Sequence, residues 1–545
     1  MHEKMTAENK TATRNSVGRL LFALIGISLQ IALIVSFFNI LNGRWSWVRD
    51  MTEVFSLVLV LLIYGQHKTS AMKTPWIILI LVLPVFGIVM YLLVGLNGST
   101  FIMRKRYEAV DQKLMPHLHK DPLADELLKE RHPSLAGVSS YLENVAGFPT
   151  YQNTKVKFFP EASSGLLAMK EDLRSARHYI FMEYHAIEDK EAWKGIEKIL
   201  VERAGHGVDV RIFYDDMGSI GFLDGRFIKR MEALGIHCRD FNPVMPGLNV
   251  FLNNRDHRKI TVIDGEIAYT GGYNLANEYF NITHPYGYWK DTGIRLEGEA
   301  VKSFLVIFLE NWNAIKNQKL EDTEGDIARY IEVANREEET IEKREERRAE
   351  QEIEEGKLPE ISKEGFIQPY SDNPIDNENV GENVYISLIE QAKQYCWFIT
   401  PYLIITDEMS HALSLAAKRG VDVRIITPGI PDKKLIYQIT RSYYNGLARN
   451  GVRIFEYTPG FCHAKMCVTD DVAATVGTIN LDYRSLYHHF EDGCLIIEDP
   501  VVGEIHEDFL NTMEECREVT EFYKTGRSNS LRLWQLFLRL FAELL

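Results

Sequence analysis

Asn254-Arg255-Asp256-His257-Arg258-Lys259-Ile260-Thr261-Val262-Ile263-Asp264 is the stretch from which the rest of the chain can be read. His257 stands two residues before Lys259, and Asp264 follows after four more. The spacing returns at His463-Ala464-Lys465 with Asp470. After each aspartate comes a small-residue turn ending in asparagine, Gly271-Gly272-Tyr273-Asn274 and Gly477-Thr478-Ile479-Asn480. Two copies with the same internal spacing predict a duplicated catalytic unit.

Around each histidine the pattern has period two. His257, Lys259 and Thr261 alternate with Arg258, Ile260 and Val262, and His463, Lys465 and Cys467 with Ala464, Met466 and Val468. That is strand periodicity, which would set His and Lys on one side, roughly 7 Å apart along the strand. Two lysines would neutralise a phosphodiester and stabilise charge on its non-bridging oxygens. One imidazole can attack phosphorus to give a phosphohistidine, while a second, protonated, supplies the leaving alkoxide. Neither step needs a metal or cofactor. Asp264 and Asp470 are carried with His257, Lys259, His463 and Lys465 as catalytic candidates. Asp264-Gly265 is also a hairpin signal, so a turn-forming role stays open for both.

The duplication extends beyond the motifs. Gly207-Val208-Asp209-Val210-Arg211-Ile212 is repeated without change as Gly420-Val421-Asp422-Val423-Arg424-Ile425, each a buried-strand pattern after a helical one. The expected fold is therefore α/β, with two units over 151–320 and 366–525 whose motifs meet at a pseudo-twofold interface. The stretch 321–365 is a charged helical linker containing the pairs Glu339–Lys343 and Glu345–Arg348. Residues 101–150 read as a polar connector.

The motifs resemble the paired HKD motifs of the phospholipase D superfamily. The surrounding Glu278-Tyr279, Trp289-Lys290-Asp291-Thr292 and Asn480-Leu481-Asp482-Tyr483-Arg484-Ser485 through Phe490-Glu491 resemble bacterial cardiolipin synthases. The resemblance implies two α-β-α sandwich units and a phosphatidyl transfer that turns two phosphatidylglycerols into cardiolipin and glycerol. It also implies an acidic residue behind each histidine, by position Asp291 behind His257 and Glu491 behind His463. Asn274, Asn480 and Thr478 become substrate-binding or orienting candidates. Many superfamily members have serine where this chain has Gly272, so a hydroxyl contact to phosphate is expected only from Thr478. A hydrolytic phospholipase D, a membrane-tethered nuclease and a non-catalytic scaffold are the rival readings.

The net charge of −15 over 545 residues counts against a nucleic-acid partner. Basic residues gather locally around the first motif, at Arg255, Arg258, Lys259 and Lys290. The six cysteines have neither zinc-ligand nor disulfide-framework spacing, and Cys462 and Cys467 flank His463 as expected pocket neighbours. Within 1–100, apolar runs lie at about 20–41, 54–66 and 76–96, the first and last long enough to cross a bilayer. Lys4, Lys10, Arg14 and Arg19 before them and Arg104, Lys105 and Arg106 after them predict cytoplasmic flanks and catalytic units. Both flanks inside favours two spans, with three kept open. Residues 527–545 carry a narrow polar stripe, Arg532, Gln535, Arg539 and Glu543, and predict an amphipathic helix on the membrane or on the protein itself. The expected setting is a multi-pass bacterial membrane enzyme acting on anionic phospholipid, its oligomeric state open.

Overall fold

The computed structural model describes residues 7–66, 69–95, 98–244, 254–315, 322–336, 365–525 and 538–539. It contains two large mixed sheets. The first runs Thr154–Phe159, Gly293–Gly298, Ile267–Gly271, Lys259–Ile263, Tyr179–Tyr184, Asp209–Asp215, His237–Phe241 from edge to edge. The second runs Phe366–Asp372, His489–Ile497, Ala473–Gly477, Met466–Thr469, Tyr395–Ile399, Asp422–Pro428, Arg453–Tyr457, and adds Cys516–Glu518 at its far edge. The repeated hexapeptides feed the same position in each sheet, Asp209–Asp215 and Asp422–Pro428. In both, a left-handed glycine, Gly207 or Gly420, turns the chain from the preceding helix into the strand.

The helix Val301–Ala314 is buried along its whole length. It packs on strands of the first sheet and on Phe366–Asp372 of the second, so one helix fills the seam between the halves. That explains why the consecutive run Phe304, Leu305, Val306, Ile307, Phe308 and Leu309 is apolar all round, as a fully buried helix requires. The helix Gly98–Leu114, within the stretch read as a polar connector, packs on it. There Tyr107 donates to Asn311 Oδ1 at 2.7 Å and stacks on Phe490 at 5.1 Å.

The N-terminal region departs from a set of straight spans. Ala7–Arg44 is one helix, and its apolar part, Leu24–Leu41, is the only stretch among the described residues long and apolar enough to cross a membrane as a helix. The run expected over 76–96 is broken. Helix Ser70–Val82 ends, Leu83 leaves helical geometry, and Pro84–Met90 begins a new helix. Pro84 disfavours helical geometry at the residue before it and cannot donate to the preceding turn. The two pieces then cross closely, since a Cβ on Gly87 would sit 2.6 Å from Ile80 Cα. The last apolar run thus turns back on itself rather than forming one straight crossing.

Of 527–545, only 538–539 are described, and there Leu538 is buried and the Arg539 guanidinium lies 4.0 Å from the Tyr443 ring. The linker pairs Glu339–Lys343 and Glu345–Arg348 lie outside the described residues.

Candidate active site

Each histidine stands at a joint between short strands. His257 and Arg258 separate Arg255–Asp256 from Lys259–Ile263, and His463 follows Gly460–Cys462 and precedes Met466–Thr469. The motif is therefore not one regular strand, and the break has a reason. Arg255–Asp256 leaves the first sheet to pair in parallel with the second half, Arg255 with His489 and Asp256 with Phe490. Gly460–Cys462 reaches across in the same way, and Cys462 pairs with Lys290.

Extending either register by one residue places 257 beside 491 and 463 beside 291. The side chains follow. His257 Nδ1 lies 2.9 Å from both Glu491 carboxylate oxygens, and His463 Nδ1 lies 2.7 Å from Asp291 Oδ2. This reverses the pairing expected from position: Asp291 stands behind His463, and Glu491 behind His257. Each half supplies the carboxylate that orients the other half's imidazole, and both carboxylates are fully buried.

Both histidines open onto one cavity of about 620 Å³. Lys259 and Lys465 lie beneath them, each donating to the carbonyl of the histidine two residues earlier. Lys465 Nζ is also 2.8 Å from His463 Nδ1 and 3.1 Å from Nε2. Burial pushes the His257 imidazole well below its ordinary value, and Lys259 and His185 add to the effect. Burial and Lys465 bring His463 down to about 3 against the pull of Asp291. Burial likewise lowers Lys465 to about 7 and lowers Lys259. Burial works against ionisation of Asp291, but His463 and Lys465 outweigh it and hold its carboxyl below the usual range. Burial thus works against positive charge on both imidazoles and on the lysines beneath them, an arrangement that a phosphodiester anion would complement.

The remaining candidates divide. Asn274 lines the cavity, its Oδ1 accepting from Ala186 N at 3.1 Å and its Nδ2 donating to the Tyr279 hydroxyl at 2.9 Å. Asn480 also lines it, with an unpartnered Oδ1. Thr478 does not line the cavity: its hydroxyl donates to Asp492 O and accepts from Asp492 N, tying down the strand that carries Glu491. Asp264 and Asp470 sit at the far end of their strands in left-handed turns. Asp264 accepts from the amides of Arg177, His178 and Tyr179, and Asp470 from those of Lys393, Gln394 and Tyr395. These carboxylates close a turn onto the neighbouring strand and take no part in the cavity, which corrects their place among the catalytic candidates.

The basic cluster disperses. Arg255 faces the cavity but is held by Asp215 at 2.9 Å, Lys290 pairs with Asp508 at 2.6 Å, and Arg258 points away into the core. Cys462 and Cys467 are buried and line no part of the cavity, Cys467 lying 3.7 Å from Cys396.

Two histidines escaped the sequence reading. His185 and His489 line the cavity, with ring centroids 5.0 Å and 5.3 Å from His257. His489 shares period-two spacing with Glu491, a signal present in the sequence; His185 follows the buried strand Tyr179–Tyr184 with no signal of its own. Among the described residues, His257, His489 and Glu491 are the grouping whose ligand atoms, all within 4.8 Å of one another, are placed to hold a metal ion.

A family model described as "Cardiolipin synthase, PLD-like domain" matches residues 169–301 and 385–513, and one described as "Phospholipase_D-nuclease N-terminal" matches 54–95. An uncharacterised protein of Streptococcus mutans is 39% identical over 89% of this chain and 98% of its own length. A cardiolipin synthase of Halalkalibacterium halodurans is 29% identical over 98% of this chain and 100% of its own. The crystal structure of a phosphatidylserine synthase from Haemophilus influenzae superposes with a TM-score of 0.53 at 13% identity, covering 75% of this chain and 98% of that one, a likeness of fold.

Proposed function

Because the chain belongs to the phospholipase D-like family of cardiolipin synthases and is a phosphatidyltransferase of that type, we propose that it converts two phosphatidylglycerol molecules into cardiolipin and glycerol. The observation that carries the reading is the pair of crossed histidine–carboxylate contacts over one cavity. A neutral imidazole has a free lone pair on the ring nitrogen away from its carboxylate. In the proposed cycle one histidine attacks phosphorus, the bond to glycerol breaks, and the departing alkoxide takes a proton from the other half of the site. A hydroxyl of the second lipid then returns that proton as its oxygen displaces the histidine. Lys259 and Lys465 carry the charge that builds on the phosphoryl oxygens. By analogy with relatives, His257 is the favoured nucleophile.

The apolar helix Leu24–Leu41 supports attachment to the bilayer in which such substrates reside. We place the catalytic units on the cytoplasmic side, on the strength of the basic cluster Arg104, Lys105 and Arg106. The test is product analysis: purified protein in detergent with labelled phosphatidylglycerol should release glycerol and form cardiolipin in equal amounts. Phosphatidic acid as the sole lipid product would replace this reading with hydrolysis.

A further inference from the structure

The cavity differs between its two sides. On the His257 side stand His185, His489 and Arg255. On the His463 side the rings of Trp289 and Tyr279 approach that imidazole to 5.2 Å and 5.3 Å, and the residue before Tyr279 is Glu278. Glu278 lines the cavity, and its carboxyl makes no hydrogen bond or ion pair among the described residues. Asp432 lines the same wall, but Tyr402 and the amide of Lys433 already occupy it. Asn480, 4% exposed, also lines the cavity, its amide oxygen buried and without a partner. Its counterpart Asn274 has both side-chain groups engaged, so the two halves differ here despite their duplication.

An open carboxyl beside a phosphoryl-transfer site repels the phosphate. It must therefore face a part of the substrate that is neutral or cationic and can donate hydrogen bonds. We propose that Glu278, on a cavity lining it shares with Asn480, forms a subsite for a polyhydroxy headgroup alcohol, its carboxyl accepting hydrogen bonds from those glycerol hydroxyls that do not react. The subsite deepens the phosphatidylglycerol reading and rests on it. Burial, with Glu188 and Asp432 nearby, raises the Glu278 carboxyl to about 7. A half-buried carboxyl left unpaired by a smaller alcohol would also discriminate against water and simple alcohols.

The test supplies phosphatidylglycerol in detergent micelles with an equal mixture of labelled glycerol and 1-propanol as soluble acceptors. A third mixture replaces glycerol with ethanolamine. Cardiolipin formation by the wild type in the absence of added alcohol checks the underlying reading separately. The expected result is preference for glycerol over propanol, falling about tenfold in Glu278→Ala and less in Glu278→Gln, with propanol transfer still measurable as proof of a folded site. Equal wild-type use of glycerol and propanol overturns the proposal, as does an unchanged ratio in Glu278→Ala. Should Glu278→Ala transfer to neither alcohol, Glu278→Gln decides: a lowered glycerol-to-propanol ratio upholds the subsite, and an unchanged ratio or loss of both transfers alike overturns it. A wild-type preference for ethanolamine that Glu278→Gln removes would assign the wall to a cationic headgroup instead.

Discussion

Glu491 follows His257 by 234 positions, yet both its oxygens lie 2.9 Å from the Nδ1 of that ring. The contact fixes the tautomer and orientation of His257, and it exists only when the two halves are assembled. Glu491→Gln keeps the shape of the side chain but turns one oxygen into a donor facing the ring. Turnover should drop by roughly a hundredfold to ten-thousandfold with little change in thermal unfolding, and Asp291→Asn should do the same through His463. Single-turnover trapping of the labelled enzyme locates the fault. If Glu491→Gln left the rate of label capture on histidine unchanged, the orienting role would be lost.

How much of this was legible in the sequence differs residue by residue. His257, Lys259, His463 and Lys465 announce themselves by repetition, and the repeated hexapeptide foretells two α/β units. The crossing of Asp291 to His463 and Glu491 to His257 does not, because it is set by two parallel strand pairings between halves whose register no local pattern encodes. The break before Pro84 was within reach, since proline restricts its predecessor, but the apolar run around it hid the signal. Thr478 resembled a phosphate ligand because its position is right; the backbone of Asp492 claims its hydroxyl.

The low proton affinity of Lys465 sets the direction of a pH effect. At about 7, it is cationic below neutrality and neutral above. A step that needs its charge is therefore lost as pH rises, and kcat/KM in the free enzyme should decline above about pH 7. Asp291 is the chief group pulling Lys465 upward, so Asp291→Asn should move that alkaline limb to lower pH. A limb that stayed in place, measured on the residual activity, would assign it to another group.

Arg258 is fully buried beneath the motif, 3.2 Å from Glu310 and 3.8 Å from Glu183, with its guanidinium 5.4 Å from the Phe490 ring. Burial raises the carboxyls of both acids, and Arg258 is the main group restraining the rise at Glu310. Removing the cation leaves buried acids uncompensated. Arg258→Ala should cost about 3–5 kcal/mol in equilibrium unfolding. A loss under 1 kcal/mol would show that the acids simply take up protons.

The grouping of His257, His489 and Glu491 suits zinc, which favours imidazole and carboxylate. An ion held there would engage the ring proposed to attack phosphorus. Chelators should leave activity in place, whereas added zinc should inhibit and chelator should reverse it. His489→Ala should require more zinc for the same inhibition. Activation by zinc in a chelator-treated enzyme would reverse the assignment and make the ion a participant.

Gly272 marks where the chain departs from the serine of many superfamily members, and the geometry supplies a reason. A Cβ there would fall 2.0 Å from Asp291 Oδ1 and 3.0 Å from His463 O. The same carboxylate orients His463 at 2.7 Å, so relieving the clash would rotate the imidazole away from the cavity. Gly272→Ser should therefore lower turnover at least about a hundredfold, although it restores a common family residue. Gly272→Ala should do nearly as much, because the clash begins at Cβ. If serine proved active and alanine inactive, the hydroxyl would be binding phosphate after all. Equal loss in both, with His257 still capturing label more slowly rather than not at all, would place the damage on His463 and its carboxylate.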